Sequence, residues 1–344
     1  MRLSGRKAST RIARVVATVL AAAALVVVPL SSASACACGG AAPSPGSEVA
    51  VGEERAIVSW NEGVEQIDLL LDMQSTDSET GLVFPTPSPA TVTLGDREDF
   101  EAIGRVTTPT RVEEYDWWSV PGGDGVAGGA PPNVLATVQL GPIEAVTLAA
   151  SDASGLQTWL DENGFALAPT VTDLLEGYVD RGWYFVALRL TGDAPLDGGL
   201  DPLRFSFESD TLVYPLELSR AATSPQTVRL FVFDDHRQRV AFTGGGEPGS
   251  SFTSWAAPVI GTEVDGFGDY LTVFELYFDD PGSQILGDLE FAPTLSDETT
   301  GTEYTVSVPV ALGPIPVGWL ITGFAVLGAV GAILVIMAVG AKRS

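Results

Sequence analysis

Apolar positions fall into two long runs at the ends of this chain and many short, alternating or clustered runs between them. Residues 317–341 are hydrophobic and uncharged throughout, and Lys342 and Arg343 follow directly. Such a run is long enough to cross a bilayer with some tilt, and the basic pair at its end fits the cytoplasmic side. Trp319 stands near its start, where an amphipathic indole suits the opposite headgroup layer. Small residues at four-residue spacing, as in Ala325 and Ala329, are ordinary for a membrane helix. The first run, 15–30, is short of the about 20 residues a span requires. Arg2, Arg6, Lys7, Arg11 and Arg14 precede it and Ala33-Ser34-Ala35 follows, the three parts of a secretory signal peptide over 1–35.

Between the two runs the pattern predicts mainly strands. Residues 55–60 and 64–73 are rich in strand formers and flank Asn61-Glu62-Gly63, which reads as a hairpin. A strand at 80–84 should end in the proline series beginning at Pro85, because proline leaves a sheet interior. A helix over 96–105 carries acids in its first turn, where the helix dipole favours them. Residues 121–132 form a Gly/Pro-rich loop, and two strand-like stretches lie in 134–149. Leu156, Trp159 and Leu160 then share one face of a helix over 152–163, and Leu174, Leu175 and Tyr178 share one face of a second over 170–180. A buried strand at 183–190 follows, with further strands at 203–208, 212–218, 227–233, 240–243 and 270–278. The stretch 303–310 leads out to the terminal run.

The expected fold is therefore α+β and β-rich. Antiparallel sheets, sandwich-like, carry a central two-helix insertion, and one transmembrane helix closes the chain. The expected organisation is a signal peptide (1–35), an extracytoplasmic domain (36–310) with a subdivision near the helical segment 150–182, a span (317–341) and a cytoplasmic tail (342–344). The protein is placed in the cell membrane, single-pass, with its large domain outside.

Charge sharpens that picture. Of 18 basic residues, seven lie in the two terminal segments, which leaves eleven against all 44 acids in 36–310, a net charge of −33. All eleven are arginine. A surface so acidic repels polynucleotides, so no nucleic-acid partner is expected. Cys36 and Cys38 are the only cysteines. Cleavage after Ala35 makes Cys36 the first mature residue, a position for a lipid, although Ala33 stands where a larger aliphatic residue is usual. A disulfide between Cys36 and Cys38 is cramped and would staple nothing. The domain must hold by packing, which its length supports.

In its central part the chain resembles the DUF2330 family, a group of uncharacterised exported bacterial proteins. The residues that carry the likeness are Cys38-Gly39-Gly40 and the hairpin after it, then Trp159-Leu160 and Glu162-Asn163-Gly164-Phe165. Leu175 with Tyr178-Val179 and the block Gly182-Trp183-Tyr184-Phe185-Val186-Ala187 continue it. Pro202-Leu203-Arg204-Phe205-Ser206-Phe207 and Val213-Tyr214-Pro215-Leu216 complete it. The likeness spans roughly 36–280. Ala41-Ala42-Pro43 stand where the family often has further cysteine and aromatic residues. The resemblance implies an exported protein and supplies no catalytic residue.

Candidate chemistry is sparse. His236, the only histidine, lies in Phe233-Asp234-Asp235-His236-Arg237, where Asp234 or Asp235 could orient it for a nucleophile. The chain has no Gly-x-Ser-x-Gly elbow, and a charged hairpin turn between strands is the expectation. One histidine also excludes most zinc hydrolases. Acidic loops offer oxygen ligands for calcium at Asp193, Asp197 and Asp201, and at Asp265 and Asp269, without the spacing of an EF-hand. Trp117-Trp118 could stack on sugars or anchor a partner, and strand geometry would bury one of the two. The leading expectation is a non-enzymatic surface module that binds another protein or an envelope polymer. Its alternatives are a carboxylate-dependent extracytoplasmic hydrolase and a calcium-stabilised adhesion module, with no other cofactor.

Overall fold

A computed structural model describes residues 40–45, 47, 49–120, 137–138, 144–149, 153–192 and 196–341. Residues 1–35, read above as a signal peptide, and Cys36, Cys38, residues 121–132, Asp193, Lys342 and Arg343 lie outside the described residues.

The described chain starts with strand β1 (Gly40–Pro43) and the hairpin of β2 (Val49–Asn61) and β3 (Val64–Ser75). Glu62 and Gly63 join the hairpin with φ of 51° and 86°, the mirror-image turn whose twist matches paired strands. Next come β4 (Glu79–Thr86), β5 (Thr91–Leu94), helix α1 (Arg97–Val106) and β6 (Thr110–Asp116). Asp96 caps α1 by accepting from the Glu98 amide at 2.9 Å. β7 (Thr137–Val138), β8 (Glu144–Leu148), α2 (Ala153–Glu162), α3 (Pro169–Asp180) and β9 (Tyr184–Thr191) follow. Then come β10 (Asp197–Leu200), β11 (Leu203–Glu208), β12 (Val213–Tyr214), β13 (Gln226–Asp234) and β14 (Gln238–Phe242). β15 (Ser251–Pro258), β16 (Tyr270–Phe278), the short α4 (Pro281–Gln284), β17 (Leu289–Pro293) and β18 (Glu303–Pro309) lead to a small pair, β19 (Ala311–Leu312) and β20 (Ile315–Pro316). Helix α5 (Val317–Ala341) ends the described chain.

Nine strands make the large sheet, in the order β15-β16-β13-β2-β3-β10-β7, with β11 also beside β3 and β5 beside β11. Most pairs are antiparallel; β13 runs parallel to β2, and β7 to β10. A second, antiparallel sheet has the order β1-β4-β9-β8, and a third β12-β17-β14. Successive side chains on a strand point to opposite faces, which sorts the core into layers. Ala56, Val58, Leu69, Val228 and Leu230 of the large sheet pack with Leu82, Phe84, Val186 and Leu188 of the four-stranded one. Phe84 and Phe205 stack there with ring centroids 4.1 Å apart. On the outer side of the four-stranded sheet, Val83, Phe185 and Ala187 are covered by Leu156 and Leu160 of α2 and Leu175 and Tyr178 of α3. Opposite, Ile57, Leu70, Phe231 and Val273 of the large sheet are covered by Phe100 and Ile103 of α1. The β-rich α+β architecture with its helical cover is thus as the hydrophobic pattern predicts.

Four local expectations are corrected. β4 continues through Pro85 to Thr86, because β1 reaches only as far as Val83 and Pro85 has β9 on one side alone. The predicted strand 212–218 shrinks to Val213–Tyr214, followed by a 3-10 turn at Glu217–Ala221. The amides of Leu216 and Glu217 there donate to a buried carboxylate, Asp288, in place of a neighbouring strand. The turn at His236 is no hairpin, since β13 belongs to the large sheet and β14 to the three-stranded one. Strands β1, β5, β10, β15 and β17 and the small β19–β20 pair lie where no strand was expected.

Helix α5 is long and apolar enough to cross a membrane. A two-stranded parallel ribbon of β6 and β18 leads to it. The Val310 amide donates to Asp116 O at 2.8 Å and the Val317 amide to Val310 O at 2.9 Å.

Candidate functional site

A cleft of about 780 Å³ opens at the tip of the β2–β3 hairpin, between that tip, the 208–213 segment and the entry to β17. Glu62, Glu208, Asp210 and Glu290 line it from exposed positions, and Arg181, Trp183 and Asp288 also border it. Arg181 is the one basic residue among its lining side chains, against five acids.

Asp288 is the best-connected of these groups and is fully buried. Its Oδ1 accepts from the Tyr178 hydroxyl at 2.5 Å and from the Leu216 and Glu217 amides at 2.9 Å each. Its Oδ2 lies 3.2 Å from the Arg181 guanidinium, which also pairs with Glu217 at 2.9 Å. The same guanidinium stacks 4.4 Å from the Tyr178 ring centre and 5.4 Å from that of Trp183. Burial lifts the Asp288 carboxyl to about 6, against the pull of Tyr178, the Glu217 amide and Arg181. Burial and the neighbouring Asp288 charge push the Tyr178 phenol well above its usual range.

Three further carboxyls, Glu54, Glu65 and Asp68, lie fully buried in the hairpin strands. Glu65 accepts from the Val213 amide at 3.0 Å, and burial drives its carboxyl well above the ordinary range. Glu54 accepts from the Tyr214 hydroxyl. Glu54 and Glu65 share their strand faces with the buried apolar residues Ala56 and Val58, and Ile67, Leu69 and Leu71, a break in the inward pattern that the sequence displays and sequence reasoning passed over. Asp288 had no comparable signal: it is one of 44 acids, and its partners come from segments far away in the chain.

The residues singled out from sequence do not converge. His236 is exposed, and its Nδ1 lies 3.0 Å from Asp297 Oδ2; Asp234 instead accepts from the Gln238 side chain at 2.6 Å. Hydrogen bonding to Asp297 raises the imidazole above its usual value. Asp201 lies 3.6 Å from Arg97, Asp265 accepts from the Gly261 amide at 3.2 Å, and the Asp269 backbone oxygen accepts from the Val259 amide. Asp197 starts β10 opposite Gln74, and Asp193 is outside the described residues. Among the described residues no group of three or more His, Cys, Asp or Glu side chains is arranged to hold a metal ion.

Trp117 and Trp118 differ most from expectation. They follow β6 in a bend rather than continuing the strand, so neither is core; 48% and 58% of their surfaces are exposed. The Gly318 amide donates to Trp117 O at 2.7 Å, which puts the pair against the first turn of α5, near Trp319.

A family model described as an uncharacterised protein conserved in bacteria, DUF2330, matches residues 32–292. A search of curated proteins finds no match. Among solved structures, baculovirus P35 is similar at 7% identity over 72% of this chain and 97% of its own, with a TM-score of 0.34. The caspase-8/P35 complex gives 7% identity, 71% and 97% coverage, and a TM-score of 0.33. Likeness at that level carries no argument about this chain.

Proposed function

The chain belongs to the DUF2330 family, and from that premise we propose that it is a membrane-anchored binding module whose acidic cleft takes a basic segment of another protein at the outer face of the cell. The reading of 1–35 as a signal peptide and the basic pair after α5 support that placement. The observation that carries the binding role is the charge of the cleft. Its lone cation, Arg181, is already paired with Asp288 and Glu217, so Glu62, Glu208, Asp210 and Glu290 are left to meet a ligand. Trp183 borders them with its ring already stacked against the Arg181 guanidinium, so the ligand's cations would meet the carboxylates. An anionic polymer would be repelled.

The competing reading, hydrolysis by carboxylates, draws on the position of Asp288 near 6, where a general acid operates. Its oxygens, however, are engaged by four donors from Tyr178, Leu216, Glu217 and Arg181. A carboxyl held in that way serves as a fastening.

The test is calorimetric titration of the full chain in nanodiscs with a lysine- and arginine-rich peptide and an acidic peptide of equal length. Binding of the basic peptide alone is expected, weakened at least about fivefold by Glu208→Gln/Asp210→Asn, since those charges would face the ligand. Glu101→Gln/Glu247→Gln removes two exposed charges outside the cleft lining and should leave the affinity unchanged. Equal weakening by both pairs would mean diffuse attraction to an acidic surface and would sink the cleft as the site.

A further inference from the structure

The entry of α5 is ringed by apolar side chains that the fold leaves uncovered. Tyr115, Trp117, Trp118, Leu312, Ile315 and Trp319 are each between 45% and 72% exposed. They come from three separate pieces of chain: the end of β6, the β19–β20 hairpin and the helix itself. Backbone bonds fix them together, Trp117 O to the Gly318 amide and Asp116 O to the Val310 amide. Asp116 also shapes the bend that presents the tryptophans, since its Oδ1 accepts from the Trp118 amide at 2.8 Å and the Ser119 amide at 3.2 Å. Between Trp118 and one stripe of the helix (Trp319, Thr322, Gly323, Val326 and Leu327) runs an open apolar groove of about 530 Å³.

We propose that the Trp117–Trp118 bend is a second membrane-seating element, dipping into the lipid beside α5 so that a phospholipid acyl chain fills the groove under Trp118. The inference rests on reading α5 as a membrane span. Continuity is its warrant: the groove runs down the side of α5 from its first turn, so whatever solvates the helix there also enters the groove. Indole rings favour the headgroup boundary, with the N–H toward the wet side and the ring body in the acyl region. A ribbon gripping the helix at Gly318 would hold the large domain close to the bilayer. On a free tether the domain would swing on residues 310–316.

Tryptophan emission provides the test, because Trp117, Trp118 and Trp319 are three of seven tryptophans in the chain. The full chain is placed in nanodiscs of plain or chain-brominated phosphatidylcholine, and the emission lost to bromine is measured. Trp117→Phe/Trp118→Phe is expected to remove about two thirds of the quenched emission, and Trp319→Phe about one third, if all three sit at the interface. Should the double variant fold poorly, the Trp319→Phe chain alone decides: quenching that persists supports the proposal, and quenching that vanishes overturns it. No quenching in the unaltered chain would overturn the span itself along with the inference. Quenching at Trp118 that falls as the protein-to-lipid ratio rises would assign the groove to a second copy of the helix and overturn the lipid as its occupant.

Discussion

The Tyr178 hydroxyl donates to Asp288 Oδ1 at 2.5 Å, fastening helix α3 to the start of β17, 110 residues further along the chain. The same oxygen takes the Leu216 and Glu217 amides, and the other carboxylate oxygen meets Arg181. One buried carboxylate therefore ties together the helical cover, the irregular 3-10 segment and the three-stranded sheet. Of these, the chain just after α3 (Arg181 and Trp183) and the start of β17 (Asp288 and Glu290) line the cleft. A cleft assembled from segments so distant in sequence needs such a fastening to keep its shape.

Replacing Asp288 by alanine should therefore destabilise the protein by about 3–5 kcal/mol, because it leaves the Tyr178 hydroxyl and the Leu216 and Glu217 amides without their acceptor inside the fold, while Arg181 keeps Glu217. Tyr178→Phe removes a single donor and leaves the carboxylate its remaining partners, so about 1–2 kcal/mol is expected. Denaturant midpoints of the full chain in detergent give both values. Equal, small losses would show that water reaches the carboxylate and replaces its partners.

The pH dependence follows from the same group. In the folded protein the Asp288 carboxyl titrates at about 6, against 3.8 as its ordinary value. Between those two pH values the native state holds a proton that the unfolded chain has released. This contribution to stability is fully present below about pH 4 and is lost as pH rises through 6, worth about 3 kcal/mol in total. Glu65, raised well above its ordinary value by burial, acts in the same direction. The protein should melt at a higher temperature at pH 5 than at pH 7.5. Asp288→Asn, which carries no titrating proton, should flatten that difference; an unchanged slope in this variant would assign the effect to other groups.

Much of this fold is legible in the sequence because its signals are local. Asn61-Glu62-Gly63 marks the hairpin, Asp96 the start of α1, and the spacing of Leu156, Leu160, Leu175 and Tyr178 the helical cover. β10 escapes because Gly198 and Gly199 have no side chains to alternate, and β15 because Thr253 and Ser254 interrupt its apolar pattern ahead of Trp255. The strand expected over 212–218 fails for a non-local reason: a carboxylate seventy residues away takes its amides. Asp288 itself carries no mark in the sequence, since its role lies wholly in partners brought to it by the fold. Trp117-Trp118 is conspicuous as a pair, but what it touches is set by the β6–β18 pairing and the position of Gly318.

Arg204 and Asp68 form a second buried fastening. Arg204 Nε and Nη2 reach the two oxygens of the fully buried Asp68 at 2.7 and 2.5 Å, and Nη2 also reaches Asp99 at 3.1 Å. Arg204→Met should cost about 3–5 kcal/mol, since it leaves a desolvated carboxylate unpaired. Arg204→Lys offers no planar fork and should rescue it only in part. The double variant Arg204→Met/Asp68→Leu should be more stable than Arg204→Met alone, because no charge is then left buried. If the two losses simply add, the residues act independently and the pair has no coupling to lose.

At the entry of α5, Gly318 is needed for a close approach. A Cβ at this position would sit 2.6 Å from Trp117 O and 2.7 Å from the Trp118 ring, both too near for any real carbon. The indole could turn aside, but the Trp117 oxygen belongs to the backbone and accepts from the Gly318 amide itself. Gly318→Ala should therefore part the 116–119 bend from the helix without disturbing α5, which gains a better helix former. Hydrogen exchange of the full chain in nanodiscs should speed up at Gly318 by about tenfold or more, the equivalent of a contact worth about 1.4 kcal/mol, while residues 324–341 stay protected. Gly323→Ala supplies the control, since a Cβ there meets nothing within 4 Å. If Gly318→Ala exchanges no faster than Gly323→Ala, the bend is not held by the helix, and the tryptophans would have to find the bilayer on their own.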